Sequence, residues 1–189
     1  VWAQVEMVSD DRAKAQGLEE EQGLLRQQLA LALGEPQKTV TLVSPYFVPG
    51  NPGVELFRDL EKAGVEVRIL TNSLEANDVA LVHSGYAKYR EALLKAGVEL
   101  FELRKFRSEN EDERRSSGGI VGSSAASLHA KTFAVDGETL FVGSFNFDPR
   151  SANLNTELGF LIKSPELANA LESAFAGQVR LAAYEVVLD

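Results

Sequence analysis

One stretch of this 189-residue sequence gathers side chains that together could handle a phosphate: His129-Ala130-Lys131, Asp136, Ser144-Phe145-Asn146, Arg150-Ser151 and Glu157. On an extended chain, residues two apart share a face, so a strand over 128–135 points His129 and Lys131 the same way. The Asp136-Gly137 turn signal predicts a hairpin that returns 143–146 beside them, adding the Ser144 hydroxyl and the Asn146 amide as donors. A further strand over 156–162 places the Glu157 carboxylate behind the imidazole. This set suits phosphoryl chemistry. A neutral imidazole can attack phosphorus and form a covalent phosphohistidine. The lysine and the amide stabilise charge as it develops on the non-bridging oxygens. A carboxylate on the other ring nitrogen fixes the tautomer and supports the cation that forms. Neither a metal nor another cofactor is required, and two histidines without a cysteine make a poor zinc site.

Several elements must hold these groups. A short strand over 3–8 precedes an amphipathic helix over about 18–33, with Leu18, Leu25, Leu29 and Leu33 on one stripe and Gly34-Glu35-Pro36 as its stop. Thr39–Val43 reads as a strand buried on both faces. The three-proline loop Ser44–Pro52 follows, and Asn51 is expected to cap the next helix with Pro52 at its first position. The sequence KAGVE occurs at 62–66 and again at 95–99, marking two helix-to-strand junctions with glycine just past the helix. These junctions introduce strands over 65–70 and 98–101, the second after a helix over 79–96. Arg104–Ser127 is charge-dense, then rich in Ser and Gly, and reads as a flexible loop. Hairpins follow it: strands over 128–135, 140–142 and 156–162. Ser164-Pro165-Glu166 then opens a last helix to about Ala183. The expected fold is one α/β domain over 1–189. Its sheet is mixed, parallel in the crossover part and antiparallel near the hairpin, with helices on both faces.

Composition narrows the function. With 44% hydrophobic and 25% charged residues, the chain can build a real core and is neither a disordered polyelectrolyte nor a disulfide scaffold. The absence of cysteine excludes a thiol nucleophile and an Fe–S cluster. A net charge of −9 counts against gripping nucleic acid through overall charge. No apolar run approaches the ~20 residues needed to span a bilayer, and the start lacks a signal pattern. The opening at Val1 reads as that of a processed chain or fragment.

HAKTFAVD (129–136), GSFNFDPRS (143–151) and LNTE (154–157) resemble the HxKxxxxD signature of the phospholipase D superfamily, with its downstream GSxN and glutamate. SPYFVPG at 44–50, TNSLEANDVALVHSGYAKYR at 71–90 and DPRSANLNTE at 148–157 are closer to the bacterial cardiolipin synthase branch. The resemblance spans nearly the whole chain and matches the C-terminal half of such an enzyme. It implies that His129 is one of two catalytic histidines and Lys131 a phosphate ligand. Asn146 and Ser144 would bind the same phosphate, and Glu157 would orient His129. Asp136 would hold its loop and strand rather than touch substrate. Tyr46, His83 and Tyr86 would line the pocket. For His83, a merely structural place on a helix face carries the greater weight. Arg150 either reaches phosphate or belongs to the cap of the following turn.

Enzymes of this family need two such motifs, and this chain carries one. The second is expected from a preceding half of the same polypeptide or from a second chain, so the chain alone is expected to be nearly inactive. The implied reaction is phosphatidyl transfer on a phosphatidylglycerol-like phospholipid at the bacterial membrane, with peripheral attachment. Two alternatives stay open: a phosphodiesterase or endonuclease working as a homodimer, and a non-catalytic partner half.

Overall fold

The computed structural model describes residues 1–17, 24–77, 79–105 and 128–188. Leu18 and nearly all of the loop expected over 104–127 lie outside them. In chain order the elements are β1 (Gln4–Ser9), a 3-10 turn (Arg12–Gln16), α1 (Leu25–Leu33), β2 (Thr39–Val43), α2 (Gly50–Lys62) and β3 (Glu66–Asn72). Then come α3 (Ala80–Ala87), α4 (Arg90–Ala96), β4 (Glu99–Leu103), β5 (Thr132–Val135), β6 (Thr139–Gly143) and α5 (Pro149–Asn153). Last are β7 (Leu158–Lys163), α6 (Pro165–Ala174) and, after two further helical turns, β8 (Ala183–Val186).

All eight strands form one sheet in the order β1-β7-β6-β5-β2-β3-β4-β8. β2, β3 and β4 run parallel, as helical crossovers require, and every other neighbour pair is antiparallel. The sheet is therefore mixed in the way the sequence implies. Strand alternation sends successive residues to opposite faces. Leu42, Ile69 and Leu100 pack beneath α2 and α4 with Val54, Phe57 and Leu93. Val43, Leu70 and Phe101 face the other way, onto Ala168 and Leu171 of α6 and the following Phe175 and Val179. α1 buries Leu25 and Leu29 against Val8, Phe141 and Leu161. Each such side chain removed from water contributes about 1.5–3 kcal/mol before the entropy of ordering.

One part of the sheet is left bare. Toward β1 the α6 side carries Val5, Met7, Val142, Leu158 and Phe160, which are between 41% and 64% exposed. Met7, Phe160 and Val142 stand side by side in the ladder.

Three expectations need correction, and one strand is additional. β5 begins at Thr132 rather than 128, so the His129–Lys131 segment precedes the strand. The helix expected over 79–96 is two helices, because the Tyr89 N–H bonds the Tyr86 carbonyl at 2.8 Å in a tighter turn. Asn51 is not the cap of α2: the helix already includes Gly50, and Pro49 occupies the cap position. The helical run after Pro165 does reach Ala182, close to the expected end, and the chain then adds β8, a strand that pairs with β4. Both KAGVE junctions hold, with Gly64 at φ +87° and Gly97 at φ +108° ending their helices.

Candidate active site

The carboxyl ends of β2 and β3 meet the start of β5 and the end of β6 at one edge of the sheet. Open α/β sheets bind ligands at such an end. Leu128, buried, is anchored there by Asn72 at the tip of β3. The Leu128 N–H donates to Asn72 Oδ1 at 2.9 Å, and its carbonyl accepts from Asn72 Nδ2 at 3.4 Å. The chain then turns outward and leaves His129 exposed. The Gly143 N–H donates to the Lys131 carbonyl at 3.1 Å, fastening the segment to the end of β6, and Lys131 Nζ donates to the His129 carbonyl at 3.0 Å. Among the described residues, no side chain is hydrogen-bonded to the His129 ring.

Glu157 lies just before β7 and is nearly buried. Its carboxylate does not reach the imidazole as the sequence suggests. It accepts from the Ser144 hydroxyl on one oxygen and from Ser151 Oγ at 2.7 Å on the other. One serine hydroxyl therefore occupies each of its oxygens. Ser144 also accepts from the Leu158 N–H at 3.1 Å, while Ser151 Oγ accepts from the Asn146 N–H at 3.3 Å. The Asn146 side chain is buried, and its oxygen has no hydrogen-bond partner among the described residues. The next residue is tied to the three-proline loop: the Phe147 N–H donates to Ser44 Oγ at 3.0 Å, and the Val48 N–H donates to the Phe147 carbonyl at 2.8 Å. Phe47, Phe57 and Phe147 pack their rings beneath this junction. Half-buried Tyr46 belongs to the same loop.

Asp136, His83 and Tyr86 sit apart from this cluster. Asp136 is at the far end of β5, where it accepts from the Lys38 N–H at 2.7 Å, the Thr39 N–H at 3.0 Å and the Gln37 N–H. Partial burial raises its pKa, but these three donors and the Lys38 charge outweigh that and hold the carboxyl below its usual value. It fastens the turn to β2, as the resemblance implies, and is too remote to act on substrate. His83 and Tyr86, expected to line the pocket, are both enclosed side chains among the described residues. His83 is 6% and Tyr86 2% exposed. α3 turns them inward, where His83 Nε2 meets Arg90 Nη2 at 2.9 Å and Arg90 pairs with Glu102 at 2.6 Å. Burial, then the Glu102 charge, push the Tyr86 hydroxyl well above its usual pKa. Arg150 is exposed, and its N–H donates to the capping Asp148 at 2.7 Å.

Sequence reasoning missed Asn72 and the partners of Ser151. Asn72 had a visible signal, a polar residue closing the apolar run of β3. The Ser151–Glu157 bond had none, because it depends on how α5 folds back.

The fold and this cluster define a phospholipase D-like domain. The chain belongs to the family described as "Cardiolipin synthase, PLD-like domain", which matches residues 29–179. Cardiolipin synthase C of Escherichia coli (strain K12) is 47% identical over 189 residues, covering 100% of this chain. This chain spans 40% of that relative's length. Two solved structures share the fold. A phospholipase D family member, Nuc from Salmonella typhimurium, aligns with TM-score 0.67 at 16% identity, over 99% of this chain and 100% of Nuc. The phosphatidylserine synthase of Haemophilus influenzae Rd KW20 aligns with TM-score 0.64 at 18% identity, over 96% of this chain and 39% of its own.

Proposed function

We propose that this chain is one half of a phospholipase D-type phosphatidyltransferase of the cardiolipin synthase kind. The observation that carries the reading is the Gly143 N–H to Lys131 carbonyl bond. It joins the His129-x-Lys131 segment to the turn that bears Ser144 and Asn146. The membership of the family and the 47% identity to a cardiolipin synthase favour a lipid substrate.

In this reading a second motif supplies a second histidine, from the same polypeptide or from a partner chain. One histidine attacks the phosphorus of a phosphatidylglycerol-like lipid: a P–N bond forms, the P–O bond to glycerol breaks, and the other histidine protonates the departing alkoxide. The hydroxyl of a second phosphatidylglycerol then gives its proton to that histidine and attacks phosphorus, and the P–N bond breaks. Lys131, Ser144 and Asn146 face the non-bridging oxygens as charge develops. Glu157 holds Ser144 directly and Asn146 by way of Ser151. Tyr46 and Arg150 border the lipid headgroup.

The bare apolar face over β1, β7 and β6 adjoins this edge and supports a docking place for the second half. No helix among the described residues is long and apolar enough to cross a membrane. Peripheral contact with the bacterial membrane is part of the same proposal.

The test compares the purified chain alone with the chain joined to a second-motif half, on phosphatidylglycerol vesicles and on an oligonucleotide. Cardiolipin and glycerol should appear only with both halves present. Turnover by a proven monomer, or cleavage of the oligonucleotide with no lipid product, would overturn the reading.

A further inference from the structure

Two charged side chains that the transfer chemistry does not use are among the most enclosed in the molecule. Asp10 is 8% and Lys14 5% exposed, and they pair at 2.6 Å. Both precede the span 29–179 that matches the family. Burying an ion pair costs several kcal/mol of desolvation per ion, so such a pair is weak evidence for stability alone. What this one touches is specific. Asp10 Oδ2 accepts from the Glu157 N–H at 2.9 Å, and the Asp10 N–H donates to the Glu157 carbonyl at 2.8 Å. Lys14 Nζ donates to the Ser151 carbonyl at 2.8 Å. Asp10 Oδ1 accepts from the Leu25 N–H at 2.7 Å, which fixes the carboxylate to the start of α1.

The backbone of Glu157 is thus gripped at both its N–H and its carbonyl, and the backbone of Ser151 at its carbonyl. These are the two residues whose side chains meet at 2.7 Å in the candidate active site. Their separation is set by the Asp10–Lys14 pair lying between them. Ser151 in turn carries the Asn146 N–H, and Glu157 carries Ser144. We propose that Asp10 and Lys14 are positioning residues: their buried ion pair sets the spacing of Ser151 and Glu157, and through them the phosphate-binding turn Ser144–Asn146. The inference rests on the phosphatidyl-transfer reading of that turn.

The variants are Asp10→Asn, Lys14→Met and the double replacement, assayed in the joined two-motif protein. Each single variant leaves one buried charge unpaired and should lower both the melting temperature and kcat. The double variant removes both charges, so the melting temperature should largely recover. A positioning role predicts that kcat nevertheless stays about 10- to 100-fold down with KM little changed, because nothing then holds the Ser151 carbonyl. A folded double variant with wild-type kcat overturns the proposal. Amide exchange supplies a readout independent of activity and of whether the variants fold. In the wild-type protein the Glu157 N–H should exchange only with global unfolding, and fast local exchange overturns the proposal. If the joined wild-type protein transfers no phosphatidyl group, the functional reading fails. Protection of Glu157 then decides the positioning claim on its own, since Asp10→Ala, which removes both acceptor oxygens, should abolish it in the folded protein.

Discussion

Gly143 closes β6 at the point where fold and chemistry meet, and Gly143→Ala tests both. A Cβ there would lie 2.5 Å from the Leu158 carbonyl oxygen, 2.6 Å from Cζ of Phe141 and 2.8 Å from the Gly159 Cα. Two of these three atoms are backbone of β7, and ordinary carbon contacts need about 3.5 Å or more. β6 and β7 must therefore part by nearly ~1 Å. The ring offers little relief, being fully buried and stacked on Phe133 with centroids 4.7 Å apart. Overpacking of this sort costs about 1–3 kcal/mol. The neighbouring Ser144 N–H to Leu158 carbonyl bond, 2.9 Å long, is strained with it, which adds about 0.5–1.5 kcal/mol. The expected total is about 2–4 kcal/mol, or roughly 5–15 °C in melting temperature for a chain of this size. Displacing the Lys131 anchor by such a distance should also lower kcat about 100-fold. Thermal unfolding followed by circular dichroism, with a transfer assay on the joined protein, reads both effects. A wild-type melting temperature would refute the packing argument. A lowered melting temperature with unchanged kcat would refute the link from this strand end to the chemistry.

Asp136→Asn should cost about 1 kcal/mol at neutral pH, since a partly buried carboxylate that accepts from three backbone N–H groups is replaced by a poorer acceptor. The Asp136 pKa is depressed in the folded state, so the stability it contributes is present above the unfolded value near ~4 and is lost as pH falls through the folded one. Urea midpoints of wild type and variant should converge as pH falls through the folded-state value, and a constant gap would contradict the assignment. Asn72→Ala leaves the buried Leu128 N–H without its acceptor and should destabilise the protein by about 1–3 kcal/mol. Because Leu128 precedes His129, kcat should fall further than the fold loosens, and a folded variant with full activity would show that the anchor is dispensable.

The sequence revealed the elements whose signals are local. Thr39–Val43 is a strand with the bounds its apolar run implies, because burial on both faces leaves no competing pattern. Ser164 caps α6 with Pro165 following, as the Ser-Pro-Glu signature requires. β8 was hidden because four residues directly after a helix carry too short a pattern to read, and they become a strand through pairing with β4. At the site, the motif spacing identified His129, Lys131, Ser144, Asn146 and Glu157, and the fold brings the segments that carry them to one edge. Their mutual contacts were not legible. Glu157 bonds to two serines rather than to the imidazole, and this depends on α5 folding back over the strand end. Nor did Ser9-Asp10-Asp11 look like more than a polar end to β1. Only the tertiary fold brings Asp10 to Glu157, 147 positions away in the chain.

The most direct test of the central claim is the kcat of His129→Ala in the joined two-motif protein on phosphatidylglycerol vesicles. His129 is exposed and has no side-chain partner among the described residues, so its removal should leave the melting temperature unchanged. Whichever of the two roles it plays, nucleophile or acid, transfer should fall by at least about 100-fold. Cardiolipin formed at the wild-type rate by the folded variant would contradict the account.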